Sequence, residues 1–326
     1  MKYLTWLGLA IASLLGTAQA CELDRNVRLA GMSWMSNLMM VEIEKAILED
    51  GYDCEVVVEF GDTVPMIAAV VRGDVDLYNE LWIDSAPQNW ISANEAGEVV
   101  SLGDIYSGGV ESWWIPRYVA EQNPGLTSVY DLPDYKDLFE DREEPGMGRI
   151  YNCPEGWVCG AINNNLLQAF GLEDDYIMFS PGSGAALDAA IASSYAREQP
   201  FVTYYWSPTA VLGKYDMVEL EMPAYDPEGH QCNMDPECES PVASAFPKAS
   251  IQKTIPTALQ QNAPEMAAFF AEINIPTDEV NTLLAWADEQ DAEPDQVAEY
   301  FLANYESLWT QWVSAEVADK VKAARQ

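Results

Sequence analysis

The stretch that decides the fold is VRLAGMSWMSNLMMVEIEKAILEDGYDCEVVVEFGDTVPMIAAVVRGDVDLYNELW, residues 27–82. Its β-branched and apolar runs predict three strands, at residues 27–30, 54–60 and 75–82. Apolar residues at helical spacing predict two helices between them, at residues 36–49 and 63–71. A glycine follows each helix and is expected to end it: Gly51 and Gly73. This order of elements predicts a mostly parallel sheet flanked by helices, with ligands at the carboxyl ends of strands.

The rest of the chain repeats this α/β pattern. Extended segments are expected at residues 113–116, 149–151 and 201–206, and helices at residues 158–170 and 184–196. A loop-rich stretch at 223–247 is followed by a strand at 250–255 and a mostly helical tail at 264–326. Two α/β lobes, with the chain returning to the first, are the simplest architecture that accommodates these elements.

Composition and charge exclude several classes of function. The 326 residues include 16 Lys+Arg, 53 Asp+Glu and one His, which gives a net charge of −37. Such a charge repels phosphate, so we expect no nucleic-acid partner and no adhesion to an anionic membrane. A single His, with no G-x-S-x-G, HExxH or Gly-rich phosphate loop, argues against an enzyme and against a cofactor.

The start of the chain and its cysteines predict export from the cytoplasm. Lys2 precedes an apolar run at residues 4–15, and small residues precede Cys21, which is the layout of a secretory signal peptide over residues 1–20. The protein is therefore expected in the periplasm. A lipid anchor on Cys21 is the less favoured alternative, because Ala18-Gln19-Ala20 lacks the leucine usual before a lipidated cysteine.

The six cysteines predict three disulfides, because an even number in an oxidising compartment favours pairing. Two pairs are six residues apart in sequence, and the remaining two cysteines lie beside predicted strands. The pairs are Cys153–Cys159, Cys232–Cys238 and Cys21–Cys54. A metal site is not expected, because the chain has no CxxC motif and the lone His230 has no partner ligands.

Tryptophan is the residue type that points to a ligand. Four of the 11 tryptophans lie where the chain leaves a predicted strand, namely Trp34, Trp82, Trp157 and Trp206. An aromatic face attracts a cation that cannot donate hydrogen bonds, so these rings are candidates for a quaternary ammonium cage. Core packing is the alternative reading of each ring, and it is the one favoured for the tryptophans of the helical tail.

Three segments carry a family resemblance. CPEGWVCGAIN at residues 153–163, FVTYYWSP at 201–208 and GDVDLYNELW at 73–82 resemble segments of the ligand-binding protein of glycine betaine/proline ABC importers. The order of the segments agrees with the family. The first segment is one residue shorter than the family pattern, and Thr203 stands where the first tyrosine of the second is expected.

This resemblance implies a two-lobed periplasmic binding protein of type II-like fold, each lobe a mostly parallel sheet flanked by helices. Lobe 1 would comprise residues 21–107 and 248–326, and lobe 2 residues 108–247, with hinge crossings near 108–115 and 248–255. The implied activity is capture of a betaine-type osmolyte and its delivery to an inner-membrane ABC permease with its ATPase. The protein is expected to act as a monomer.

The resemblance also implies the ligand contacts. Trp82, Trp157 and Trp206 would surround the trimethylammonium group, and the backbone N–H groups of Val158 and Cys159 would hold the ligand carboxylate. A helix start presents unpaired N–H donors, which suits an anion. Trp34, named from its place at a strand end and not from the resemblance, is a candidate for a further ring of the cage. Candidate rim residues, each with packing or solvent exposure as the alternative, are Glu80, Asp84, Tyr205 and Trp113.

One departure from the family pattern leaves the identity of the ligand undetermined. The family often has a histidine four residues after the cage tryptophan of the third segment, where this chain has Ala86. A carboxylate contact is therefore expected to be missing. Glycine betaine, dimethylsulfoniopropionate, carnitine or another zwitterion all remain candidates, and a ligand-sensing role for a receptor is the alternative to transport.

Overall fold

The computed structural model describes residues 21–325, so the predicted signal peptide lies outside the described residues. The strands are β1 (Val27–Gly31), β2 (Val56–Phe60), β3 (Tyr78–Trp82), β4 (Val99–Pro116), β5 (Gly148–Tyr151), β6 (Tyr176–Phe179), β7 (Val202–Ser207), β8 (Met217–Glu219) and β9 (Ala249–Pro256).

Helices outnumber strands and fill the space on both sides of the sheets. They are α1 (Met35–Tyr52), α2 (Thr63–Arg72), α3 (Gln88–Glu95), α4 (Arg117–Gln122), α5 (Val158–Ala169), α6 (Gly184–Ala196), α7 (Ala210–Lys214), α8 (Pro227–Asn233), α9 (Thr257–Asn262), α10 (Pro264–Glu272), α11 (Thr277–Gln290), α12 (Pro294–Asn304), α13 (Glu306–Trp309) and α14 (Ala315–Ala324). Two 3₁₀ helices lie at Ile83–Ser85 and Val129–Phe139.

The sheets are mixed rather than mostly parallel. β1 and β2 are parallel, and β5 is parallel to both β6 and β7, as the strand–helix–strand order predicts. β3 pairs antiparallel with β9, which in turn pairs antiparallel with β4. The difference arises because β4 and β9 are the strands that carry the chain out of the first α/β region and back into it.

The long strand β4 belongs to both halves of the molecule. Its first part, from Val99 to Gly109, pairs with β9, and its second part, from Val110 to Trp114, pairs with β7. β8 extends the second part. The predicted crossing near 108–115 therefore falls at the point where β4 changes partners.

The local sequence predicted the end of α2 correctly but not the end of α1. Gly73 adopts a φ of 74° and ends α2 as expected. The expectation that Gly51 ends α1 was wrong, because the helix continues to Tyr52 and Asp53 takes the left-handed conformation, with a φ of 54°. Gly51 instead sits against Val317 of α14, where a Cβ would lie 2.6 Å from a methyl group. Close helix packing therefore accounts for this glycine.

The helical tail completes the core around α1, as predicted for its tryptophans. Trp309 and Trp312 are buried, and Trp286 stacks on Tyr300 with ring centroids 3.9 Å apart. Burying such a side chain contributes roughly 1.5–3 kcal/mol. No helix in the described part of the chain is long and apolar enough to span a membrane.

The three predicted disulfides are formed in the structure. Cys21–Cys54 ties the first described residue to the segment before β2, and Cys153–Cys159 spans the turn that starts α5. Cys232–Cys238 closes the loop that follows α8.

Candidate ligand-binding site

A small cavity lies where β3 and β7 end and α5 begins. About 60 Å³ of it is open to the centre of a water molecule. One water needs roughly 10–15 Å³ by this measure, so the cavity suits a ligand of a few non-hydrogen atoms. The lining residues are Trp34, Thr63, Ile67, Tyr78, Glu80, Leu81, Trp82, Ser85, Glu111, Trp157, Val158, Cys159, Tyr204 and Trp206.

The four tryptophans named from the sequence all line this cavity. Trp34 and Trp157 are the residues directly before α1 and α5, and Trp82 ends β3. Trp206 is the penultimate residue of β7. They converge because the carboxyl ends of strands and the starts of the following helices share one edge of an α/β layer.

Three of the four rings touch edge to face around Trp157. Its ring centroid lies 4.8 Å from that of Trp34 and 5.2 Å from that of Trp206, with interplanar angles of 74° and 77°. Tyr204 stacks on Trp206 at 6.3 Å. Rings set at steep angles present π faces in several directions, which is the arrangement that encloses a compact cation.

Glu80 brings a buried carboxylate to this aromatic wall. Trp34 Nε1 donates to Glu80 Oε2, while Oε1 has no protein partner although the residue is 2% exposed. Burial raises the pKa of Glu80 to about 7 because it disfavours the charged form. The position of Glu80 two residues before Trp82, on the same strand face, is the signal that identified it from the sequence.

Glu111 is a second buried carboxylate at the cavity, and the sequence analysis missed it. The Tyr204 hydroxyl donates to Glu111 Oε1 at 2.6 Å, and Oε2 has no protein partner. Burial again raises the pKa to about 7. The period of two along a strand could have found Tyr204, which shares a face with Trp206. Glu111 carries no comparable signal until its pairing with β7 is known.

The start of α5 contributes polar donors. Val158 and Cys159 are its first two residues and line the cavity, so their backbone N–H groups have no partner within the helix. The indole Nε1 of Trp157 is also buried without a hydrogen-bond partner. These donors, with the positive end of the helix dipole, make this wall the acceptor-binding side of the cavity.

Tyr205 and Trp113, named as rim candidates, lie outside the cavity. Tyr205 points to the opposite face of β7, where its hydroxyl donates to Asp188. Trp113 is fully buried, and its Nε1 donates to Asn163 of α5 at 2.7 Å. The structure thus gives Trp113 the packing environment that was the alternative reading.

The residues that follow Trp82 contact β9 and α8. Asp84 accepts a hydrogen bond from the backbone of Ser250 at 3.2 Å and does not line the cavity. Ser85 does line it, and its hydroxyl lies 3.1 Å from His230 Nε2. His230 is buried, which lowers its pKa to about 4 and keeps the ring neutral. Ala86 is buried beside this pair.

The groups that line the cavity suit the binding of a small, partly polar ligand. None of its lining residues is Lys, Arg or His, and the described part of the chain holds no cluster of three or more metal-ligating side chains. Aromatic faces, two acids and a helix start can hold a methylated cation and the oxygen of a polar end.

Comparison with known proteins confirms the family. Residues 25–304 match the model of the substrate binding domain of the ABC-type glycine betaine transport system. The match covers well over half of the chain, so this protein belongs to that family. It is a substrate-binding protein of an ABC transporter, not an enzyme.

Individual relatives match this chain at low sequence identity. A trimethylamine N-oxide-binding protein of Pelagibacter ubique is 23% identical over 307 residues, 93% of this chain and 95% of that protein. A glycine betaine/proline betaine-binding periplasmic protein of Salmonella typhimurium is 26% identical over 220 residues, 65% of each chain.

Solved structures confirm the two-lobed α/β fold of periplasmic binding proteins. The glycine betaine/L-proline-binding protein ProX of Borrelia burgdorferi is 18% identical, with a TM-score of 0.72 over 91% of this chain and 100% of that one. An ABC-transporter choline-binding protein in complex with choline is 16% identical, with a TM-score of 0.73 over 92% of this chain and 98% of that one.

Proposed function

We propose that this protein captures a small betaine-type osmolyte, a methylated ammonium or sulfonium compound, with the cation enclosed by Trp34, Trp82, Trp157 and Trp206. The observation that carries the proposal is the convergence of these four rings on one cavity, whose lining among residues 21–325 includes no basic side chain. Each ring contributes about 0.5–2 kcal/mol to a bound cation. Four rings supply a large part of the roughly 8 kcal/mol that micromolar binding requires.

The polar end of the ligand lies at the start of α5 in this proposal. Val158 and Cys159 offer backbone N–H groups there, and Trp157 offers its unpartnered Nε1. Trp157 therefore serves both ends of the ligand, because its ring faces the cation and its indole nitrogen lies beside the helix start.

The proposal extends to the setting of the protein. The protein works in the periplasm as a monomer, and it passes its ligand to an inner-membrane permease driven by an ATPase. Residues 21–107 with 248–326 form one lobe and residues 108–247 the other. The change of partner along β4, from β9 to β7, supports the first of these boundaries.

Calorimetric titration of the ligand-free protein tests the proposal. Glycine betaine, dimethylsulfoniopropionate, carnitine, choline and trimethylamine N-oxide are titrated in turn, and we expect micromolar binding of at least one. Trp157→Ala should weaken that binding by about tenfold to a hundredfold, because it removes one cage face and one donor. No binding tighter than about millimolar by any of the five compounds would refute the proposal.

A matched variant separates loss of the cage from loss of stability. Trp286→Ala removes a tryptophan that stacks on Tyr300 in the helical tail, away from the cavity. We expect it to lower the melting temperature without changing the affinity. Equal losses of affinity in the two variants would show that the cage does not bind the ligand.

A further inference from the structure

Two carboxyl oxygens in the cavity have no partner in the described structure. They are Glu80 Oε1 and Glu111 Oε2, and both belong to side chains that are more than nine-tenths buried. A buried polar atom is normally hydrogen-bonded, and leaving one unpaired is unfavourable by roughly 1–3 kcal/mol. Two such atoms in one cavity point to a ligand that supplies their partners.

The hydrogen bonds already made decide where a proton can reside. An indole N–H can only donate, so Glu80 Oε2 is an acceptor from Trp34 in every protonation state. A proton on Glu80 therefore resides on Oε1, the oxygen without a protein partner. Glu111 also has one oxygen with a partner and one without: Oε1 of the ionised carboxylate accepts from the Tyr204 hydroxyl, and Oε2 has no partner among the described residues.

Each acid can consequently offer either of two contacts to a ligand. An ionised carboxylate accepts a hydrogen bond from a hydroxyl group, and a protonated carboxyl donates one to an acceptor oxygen. A ligand carboxylate, even at the donors of α5, would add a full negative charge to a cavity whose described lining has two acids and no basic side chain. Both acids would then have to stay protonated.

We propose that the cavity selects methylated ammonium compounds whose polar end is a single oxygen, a hydroxyl or an N-oxide, over compounds that end in a carboxylate. Glu80 and Glu111 are the residues that determine this preference. The inference rests on the proposed function, since it assumes that the rings hold the methylated cation, and it narrows the class of ligand.

The groups around the two acids do not supply a positive charge that would hold either acid in its ionised form. Around Glu80 the other ionisable groups are Glu44 and Tyr78, which are themselves buried and neutral near pH 7 because burial raises both pKa values. The Ser36 hydroxyl and Trp34 favour the ionised form of Glu80.

Glu111 has an equally simple environment. Tyr204 hydrogen-bonds to it and favours its ionised form, and Asp84 is the charged group that raises its pKa. No basic side chain of the described residues lines the cavity to hold either acid in its charged state.

Binding compared across ligands and pH tests the inference. The ligand-free protein is titrated at pH 7 with glycine betaine, choline and trimethylamine N-oxide. We expect choline or the N-oxide to bind at least about tenfold more tightly than glycine betaine. Glycine betaine binding as tightly as both, or more tightly, would overturn the inference and leave the proposed function standing. Failure of all three to bind would instead refute the proposed function.

The pH profile identifies the protonation state in use. A cationic ligand that ends in a hydroxyl is favoured by an ionised acid, which attracts its charge and accepts from the hydroxyl, so its affinity should fall by up to about tenfold per unit as the pH drops below 7. An N-oxide needs a protonated acid, so its affinity should fall by the same factor per unit as the pH rises above 7. An affinity for the tighter ligand that is constant from pH 5.5 to 8.5 would contradict a role for either acid.

Near-isosteric variants connect the preference to the two residues. Glu80→Gln and Glu111→Gln keep the acceptor for Trp34 or Tyr204 and remove the negative charge. At least one should shift the affinity ratio toward glycine betaine by about tenfold. Asp188→Asn is the matched control, because Asp188 is also buried and accepts from a tyrosine but lies away from this cavity. An unchanged ratio in both glutamine variants, with melting temperatures near that of the parent, would overturn the inference.

Discussion

At the scale of single residues, the buried acids are the most unusual groups of this molecule. Glu44 of α1 is fully buried, and Asn79 Nδ2 lies 3.1 Å from its Oε2. Asn79 also accepts from Asn37 of α1 at 2.6 Å, and Asn37 Oδ1 accepts from the backbone N–H of Met32, in the segment after β1. Burial raises the pKa of Glu44 to about 8, and the nearby Lys253 opposes that rise. Glu44 is thus protonated in the folded protein at neutral pH.

This protonation predicts a pH dependence of stability. Between about pH 4.5 and 8 the unfolded chain releases the Glu44 proton and the folded chain keeps it, so the stabilising contribution is present below pH 4.5 and lost by pH 8. Glutamine cannot ionise, so Glu44→Gln does not lose this contribution as the pH rises. The free energy of unfolding of the variant, measured against that of the parent, should therefore be higher at pH 8 than at pH 5, by a few kcal/mol at most.

Denaturant unfolding at the two pH values checks this expectation. Glu42→Gln is the control, since Glu42 is on the same helix but is only half-buried and pairs with Lys45 at 3.1 Å. A Glu44→Gln effect that is the same at both pH values would show that the carboxyl titrates normally.

Single residues also show how far the sequence could predict the site. Trp157 was predicted because it follows a predicted strand, and Val158 and Cys159 because their segment resembles the family; all three line the cavity. Glu111 and Tyr204 were not found, because an acid in so acidic a chain carries no signal until the strand that buries it is known. Their pairing depends on the register between β4 and β7, which is set by contacts distant in sequence.

At the scale of elements, the turn before α5 positions both the ring of Trp157 and the backbone N–H groups that begin the helix. Trp157 precedes the helix, Val158 and Cys159 begin it, and Cys153–Cys159 crosslinks the turn. Local sequence predicted this element almost to the residue. It could not predict that β4 and β9 run antiparallel through the sheets, because those pairings join residues about 150 positions apart.

The disulfides are expected to differ in what they stabilise. Cys21–Cys54 has a sequence separation of 33 and Cys153–Cys159 one of 6, so loop entropy predicts stabilisation of about 4 and about 2.5 kcal/mol, respectively. Replacing Cys21 and Cys54 by serine should lower the melting temperature more than replacing Cys153 and Cys159. Replacing Cys153 and Cys159 should lower the ligand affinity more than replacing the first pair, because it frees the turn before α5. Thermal unfolding and calorimetry measure the two effects, and the reverse order in either would contradict this assignment.

At the scale of the whole molecule, a few contacts join the α5 and β7 side of the structure to the side that carries α1, α2 and α11. The Val64 backbone N–H donates to Gly156 O at 3.1 Å, and the ring of Trp34 meets that of Trp157. Lys214 Nζ pairs with Asp288 at 2.6 Å, with side chains 49% and 38% exposed. Exposed pairs contribute about 0–1 kcal/mol, so we expect the ring contacts and a bound ligand, rather than this ion pair, to supply most of the free energy of closure.

Closure driven by the ligand predicts a change of shape. Small-angle scattering of the ligand-free protein should give a larger radius of gyration than scattering at saturating ligand, because hinge motion along β4 and β9 separates the walls of the cavity. Lys214→Glu should weaken binding by less than about fivefold. Identical scattering profiles with and without a ligand that calorimetry shows to be bound would refute ligand-driven closure.

The trio of Trp34, Trp157 and Trp206 also has an optical consequence. Indole rings with centroids 4.8 and 5.2 Å apart are close enough for their electronic transitions to couple, and a coupled, chirally arranged set absorbs left and right circularly polarised light unequally. Trp34 precedes α1, whereas the other two rings belong to the α5 and β7 side, so opening would uncouple the first ring from its neighbours. The circular dichroism of the unlabelled protein should therefore change when a ligand binds, because the tryptophans of the cavity produce the signal themselves.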